Sequence, residues 1–258
     1  MRYLVLSDIH GNRQALEAVL ADARTVGFDA TLVLGDLVGY GADPQAVVEL
    51  TQALHPMAIV RGNHDRVAAG ISSAADFHDQ ARAAIEWTRR TLDPAALEYI
   101  ADLSEGPIDV APGLMICHGA PFDEDHYIFD TRDAWRALDF DVREGEPPML
   151  CLYGHTHVPA AFARTTRRGV DILLPDPDPD NEDQSQVLAW DRTRGMLVNF
   201  GAVGQPRDGD PRAAYGIVDV DARRLIFRRV DYDIKTAQQR ILSAGLPERM
   251  ARRLDRGA

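Results

Sequence analysis

Only two cysteines, Cys117 and Cys151, occur among 258 residues, and they do not form a Cys-x-x-Cys pair. A structural zinc ribbon is therefore excluded. Each cysteine lies in an apolar run, Leu114-Met115-Ile116-Cys117 or Met149-Leu150-Cys151-Leu152, so buried free thiols in strands are expected. Lysine is nearly missing: Lys235 is the single one, which removes a catalytic lysine from almost every position. No apolar run comes near the roughly 18 residues of a membrane-crossing helix. Met1-Arg2 leads straight into a short strand-like run rather than a secretory signal, and a cytoplasmic protein is expected. Positive charge is in deficit, with 28 basic against 40 acidic side chains and a net charge of −12. Phosphate tracks and anionic lipids are read by clustered Lys and Arg, so neither a general nucleic-acid surface nor a membrane partner is expected. What is present, 45% hydrophobic and 26% charged residues, is the composition of a globular chain.

The first sixty residues alternate strand and helix signals. Tyr3 to Leu6 reads as a buried strand, and Leu16, Val19, Leu20 and Ala23 then recur at helical spacing. Ala30 to Leu34 is a second strand, Asp43-Pro44 opens a helix with Asp43 as cap, and Met57 to Val60 is a third strand. Such alternation implies crossover units and a largely parallel sheet. Ser73 to Leu103 reads as helical, with a restart at Asp93-Pro94. Beyond Gly106-Pro107, short strands are expected at 108–111, 114–117, 149–153, 160–164, 187–190, 196–199, 214–220 and 224–231, as a second, hairpin-rich sheet. Helix returns over 235–254, with a break at Gly245-Leu246-Pro247. The expected class is α/β, a single domain over 1–258 with two packed sheets and helices outside. The acidic stretch 175–183 lacks the glycine and glutamate of a calcium loop, since Asn181 and Val187 stand at those positions. A solvated hairpin loop is expected there.

Chemistry concentrates where the apolar runs end. Asp8-Ile9-His10, Gly35-Asp36, Gly62-Asn63-His64-Asp65, Cys117-His118-Gly119 and Gly154-His155-Thr156-His157 each follow one. The carboxyl ends of strands in an open α/β sheet are where ligands bind, so these motifs are expected to converge. Asp8, His10, Asp36, Asn63, His118, His155 and His157 offer aspartate oxygens, imidazole nitrogens and one amide oxygen without a thiolate. That set suits manganese, iron or zinc, and it exceeds what one ion needs. Two divalent ions sharing a carboxylate explain the number, and such pairs serve in-line displacement at phosphorus.

In this order the motifs resemble the signature of the calcineurin-like metallophosphoesterase superfamily: Asp-x-His, Gly-Asp, Gly-Asn-His-(Asp or Glu), His, and Gly-His-x-His. The resemblance runs on to Val203-Gly204-Gln205-Pro206-Arg207-Asp208-Gly209, and 35–41 is similar to a small bacterial phosphodiesterase-like branch. It implies a four-layer sandwich of two mixed β-sheets flanked by helices. It also implies that Asp8, His10 and His157 bind one ion, that Asn63, His118 and His155 bind a second, and that Asp36 bridges them. A small phosphate ester would be attacked in line by a metal-bridging hydroxide, with His64 beside it as general acid or phosphate donor.

One departure bears on substrate class. Protein Ser/Thr phosphatases of the superfamily carry Gly-Asp-x-Val-Asp-Arg-Gly, and here Gly39 and Tyr40 replace the second aspartate and the arginine. The first replacement removes a carboxylate that orients the catalytic histidine, and Asp65 is then the nearest substitute. The second removes a bidentate phosphate clamp. A phosphodiester is therefore expected over a phosphoprotein. The alternatives are a phosphomonoesterase or nucleotidase on the same site, or a non-catalytic scaffold, which retention of His64 and every ligand position argues against. Smaller expectations concern four residues. Asn12 would touch phosphate or cap a helix, Tyr40 would line the substrate mouth, His126 would do so or stand on a surface loop, and Arg207 would meet phosphate or form a salt bridge, like Arg212. His55 and His78 read as surface residues.

Overall fold

The computed structural model describes residues 1–75, 77–140, 149–165, 169–178 and 185–258. The first half contains β1 (Arg2–Leu6), α1 (Arg13–Val26), β2 (Ala30–Val33), α2 (Pro44–Ala53), β3 (Ala58–Ile59), α3 (Asn63–Ala68), α4 (Asp79–Thr91), α5 (Pro94–Ala101), β4 (Ile108–Ala111) and β5 (Leu114–Ile116). There follow α6 (Thr131–Asp139), β6 (Leu150–Leu152), β7 (Ala160–Arg164), β8 (Val170–Ile172), β9 (Asp176–Pro177), β10 (Gln186–Ala189), β11 (Met196–Asn199), β12 (Ala213–Asp219), β13 (Arg224–Val230), α7 (Ile234–Ser243) and α8 (Glu248–Leu254). Among the described residues, one sheet runs β3-β2-β1-β12-β13-β10-β9 and the other β4-β5-β6-β11-β7-β8. Both are mixed: β1, β2 and β3 are parallel, as are β5, β6 and β11, and the remaining pairs are antiparallel.

Side-chain alternation along the strands builds the layers. Leu4 and Leu6 point from β1 to Leu16, Val19 and Leu20 of α1, whereas Tyr3 and Val5 point the other way. There they join Leu32, Leu114, Ile116, Leu150, Leu152, Val198 and Phe227 in a core between the sheets. A third apolar cluster packs Met115, Cys151 and Leu197 of the second sheet against Ala134 and Ala137 of α6. The order is helix, sheet, sheet, helix. No helix among the described residues is long and apolar enough to cross a membrane. Cys117 and Cys151 are free and buried, with their sulfurs 3.4 Å apart.

Several expectations need correction: β10, β12 and β13, expected in the second sheet, join the first by antiparallel pairing through β1, so that sheet is mixed rather than largely parallel. Helix does not start at Ser73: α4 begins after His78, which is exposed and caps it by accepting from Ala81 N–H at 3.2 Å. Asp43 makes no side-chain cap on α2, because its carboxylate is taken by the Arg240 guanidinium of α7. The helices α3 and α6 were not expected, since both are short and α6 buries little beyond two alanines. In the acidic stretch, β9 pairs with β10 as a hairpin would, but Asp178 is buried against Arg224 rather than solvated. Residues 179–183 lie outside the described residues.

Candidate metal centre and active site

The parallel strands β1, β2 and β3 end at one edge, and β5 and β6 end facing them. Backbone bonds lock the turns together: Asp8 N–H donates to Gly35 O at 3.0 Å, His10 N–H to Asp36 O at 2.9 Å and Gly154 N–H to His118 O at 2.8 Å. Asn199 at the end of β11 donates its amide to Gly154 O at 2.8 Å. Eight non-glycine residues among those described have positive φ, and six are Asp8, His10, Asp36, Tyr40, His155 and His157, with φ between 49° and 65°. Left-handed backbone costs a β-carbon residue about 1–3 kcal/mol and persists only where the surroundings over-determine it. The strain is concentrated on the residues expected to do chemistry.

The expected ligands form two groups. Asp8, His10, Asp36 and His157 bring donor atoms within 4.8 Å of one another, and so do Asp36, His118 and His155. Asp36 belongs to both. Asn63 joins the second, its Oδ1 lying 3.3 Å from His118 Nε2. Asp36 Oδ2 lies 3.4 Å from His10 Nε2 and 3.5 Å from His118 Nε2, and Asp8 Oδ1 is 3.2 Å from His157 Nε2.

The outward ring nitrogens decide whether a cation fits. His10, His118 and His157 each direct Nδ1 at a backbone carbonyl, of Val38 at 3.0 Å, Leu34 at 2.7 Å and Gln205 at 2.6 Å. A carbonyl only accepts, so Nδ1 carries the proton and a neutral ring presents an Nε2 lone pair inward. His155 is reversed, with Nε2 donating to Asp125 O at 3.1 Å and Nδ1 turned inward. His10 and His157 thus set two inward nitrogens 3.1 Å apart, and His155 and His118 set two 3.2 Å apart. Paired lone pairs with both outer protons committed are a donor set arranged for metal ions.

The electrostatics agree for His10, His155 and His157, whereas His118 holds a second proton that a bound cation would displace. Burial opposes charge on His118, yet Asp36, with help from Asp8, pushes it up to about 10. Burial would raise Asp36, but His118, His64 and His10 hold it well below the usual carboxylate range. Burial pushes Asp8 up to about 6 against the pull of His118. Burial also lowers His10, His157 and His155, the last to about 3, so their inward nitrogens stay free of protons at neutral pH. The centre is short of positive charge, which divalent ions would supply.

His64 opens α3, its N–H donating to Asp36 Oδ1 at 2.9 Å. Its ring packs against Tyr40, Phe77 and His10 at centroid distances of 4.5, 4.7 and 4.8 Å. Nδ1 is buried without a partner, and a β-carbon added at Gly39 would stand 2.4 Å from it. That is the side from which an orienting carboxylate would come, and glycine leaves it vacant. Asp65 does not replace it: its oxygens accept from Gly62 N–H at 3.0 Å and Val38 N–H at 3.2 Å. The His64 ring is held by other rings, and the carboxylate of Asp36 holds only its backbone.

Other expected contacts sort differently. Asn12 caps α1, accepting from Ala15 N–H at 3.1 Å, and its amide donates to Gly204 O at 2.8 Å. Both ends are used in holding loops, so the phosphate contact gives way to the cap. His126 turns aside onto Phe122 and lies 3.7 Å from Asp133 of α6. Its neighbour Tyr127, which the sequence did not single out, stacks on His155 at 3.9 Å instead. A cleft of about 290 Å³ opens over Asn63, His64 and His155, walled by Tyr40, Phe77 and Tyr127. Arg212 forms an ion pair with Asp210 at 2.7 Å, whereas Arg207 leans over the Tyr40 ring, 5.7 Å from its centroid.

Comparison with known proteins places this geometry. The chain is 38% identical to a metallophosphoesterase from Sphaerobacter thermophilus of known structure, with a TM-score of 0.83 over 100% of this chain and 99% of that one. It is 32% identical to the uncharacterized protein MJ0912 of Methanocaldococcus jannaschii, over 97% of this chain and 96% of that protein. The hypothetical protein PH1004 of Pyrococcus horikoshii OT3 shares the fold, with a TM-score of 0.75 at 21% identity over 100% and 98% of the two chains. The family model of the calcineurin-like phosphoesterase superfamily domain matches residues 1–223. By these likenesses, the chain belongs to the calcineurin-like phosphoesterase superfamily.

Proposed function

We propose that the protein hydrolyses small phosphodiesters at this centre. The observation that carries the reading is the sharing of Asp36 between two ligand groups at the floor of an aromatic cleft. Divalent ions held there would supply Lewis-acid charge for the phosphoryl oxygens and activate a water. Asp8, His10 and His157 would hold one ion, Asn63, His118 and His155 the other, and Asp36 both.

The chain's own residues do the rest. Carbonyls of Val38, Leu34, Gln205 and Asp125 fix the imidazoles, so no ring has to turn when an ion arrives. His64 turns Nδ1 toward Gly39, leaving Nε2 for the substrate. Burial pushes the ring down to about 4 although Asp36 pulls it up. An anionic phosphoryl group beside it favours the protonated form, which then donates to the departing oxygen. Tyr40, Phe77 and Tyr127 exclude water and offer ring faces to the second organic arm, which a diester has and a monoester lacks.

Manganese-loaded protein should accordingly turn over bis-nitrophenyl phosphate with a higher kcat/KM than the matching monoester. Tyr127→Ala should lower that preference by roughly three- to tenfold, since an aromatic pair contributes about 0.5–1.5 kcal/mol. A wild-type preference for the monoester, or a ratio unmoved by Tyr127→Ala, would remove the basis for the diester assignment.

A further inference from the structure

One cation beside the ligand groups has no anionic partner among the described residues. Arg207 is partly buried in the segment after β11, and its backbone N–H donates to His157 O at 3.2 Å. Its Nη2 donates to Gln205 Oε1 at 3.2 Å, and its Nε is buried with no partner. The carboxylates nearest in sequence are committed elsewhere, Asp208 to Arg229 and Asp210 to Arg212. Among the described residues, the polar partners of the guanidinium are thus neutral, the Gln205 amide and the Tyr40 hydroxyl. Removing a cation from water against neutral partners alone is costly, and a second cation makes it worse. Arg253 is such a cation: burial and the Arg207 charge both lower it.

The position is informative as well as the lack of an anionic partner. The Arg207 backbone is bonded to His157, and the Tyr40 ring under its guanidinium packs on His10 and His64 at 4.7 and 4.5 Å. Arg207 therefore works against cation binding in the neighbouring ligand group. A guanidinium placed at a metal centre against its own electrostatics is explained by an anion that the two cations share. Its planar fork matches phosphoryl oxygens in a way a lysine does not.

We propose that Arg207 is the phosphate clamp of this site, replacing from the other end of the chain the arginine absent at position 40, with the Tyr40 ring as its platform. The proposal rests on the phosphoesterase reading above and deepens it. It also revises what Tyr40 means: the missing arginine does not leave the site without a guanidinium. The case for a diester accordingly rests on the aromatic walls, not on absent charge.

The test uses Arg207→Gln and Arg207→Lys in the full chain, with manganese and inorganic phosphate as the probes. Calorimetry of the manganese-loaded proteins should show phosphate affinity about 10–100-fold weaker in Arg207→Gln, the range of a charge-assisted hydrogen bond. Arg207→Lys should recover part of it. Manganese affinity should stay unchanged or rise in Arg207→Gln, because a repelling charge has been removed. Those opposite signs separate a clamp from a support of the His157 turn, whose loss would weaken both. Unchanged phosphate affinity in Arg207→Gln, a joint loss of manganese and phosphate binding, or a metal-loaded wild type that binds no phosphate would each overturn the clamp. Turnover judges the diester reading separately. A wild type that binds phosphate through Arg207 yet hydrolyses no diester would defeat that reading and leave the clamp standing.

Discussion

Asp36→Asn is expected to lower diester turnover by about 10³-fold or more and to weaken manganese binding in both ligand groups at once. The magnitude follows from the several kcal/mol of transition-state stabilisation that bound metal supplies, at about 1.4 kcal/mol per factor of ten. The breadth follows from the geometry, since Asp36 belongs to both clusters. Asparagine keeps an oxygen to accept from His64 N–H, now at 2.9 Å, so α3 keeps its anchor. It removes the negative charge that lifts His118 and offsets burial of His10. His157→Ala, by contrast, should weaken mainly one ion, because His157 belongs to one cluster. Metal analysis after dialysis reads both variants. Full retention of manganese in Asp36→Asn would show that the carboxylate bridges nothing.

His64→Ala is expected to retain both ions and to lose about 10²–10⁴ in kcat. The loss should be graded. An alkoxide leaving group needs a proton as its bond breaks, whereas nitrophenolate leaves without one, so the variant should suffer more on an alkyl arm. Among the described residues, rings and the helix start hold the side chain, so removing it disturbs no hydrogen bond of the ligand groups. Equal losses on both leaving groups would assign His64 to positioning the phosphoryl group rather than to proton donation.

Much of the fold was legible because its signals are local. Each strand carrying a ligand motif is a short apolar run closed by a polar turn, and alternation along Tyr3 to Leu6 already implies two buried faces. The partition of the ligands was available through family resemblance, and the structure brings the same residues into two groups that share Asp36. What the sequence hid depends on long-range geometry. His126 and Tyr127 are adjacent in an irregular loop without periodicity, so nothing local says which ring reaches His155. Asp65 follows His64 yet bonds backbone across the turn, because the start of α3 sends neighbouring side chains apart. Arg207 meets Tyr40 across more than half the chain. The left-handed backbone at Asp8, His10, Asp36, Tyr40, His155 and His157 also leaves no mark, since none of these is a glycine.

The most direct test is a calorimetric titration of metal-free wild-type protein with manganese, checked by elemental analysis of the saturated sample. Two ligand groups meeting at one carboxylate should hold two ions per chain. A single tight ion per chain at saturating manganese would contradict the dinuclear centre, and with it the bridging role of Asp36.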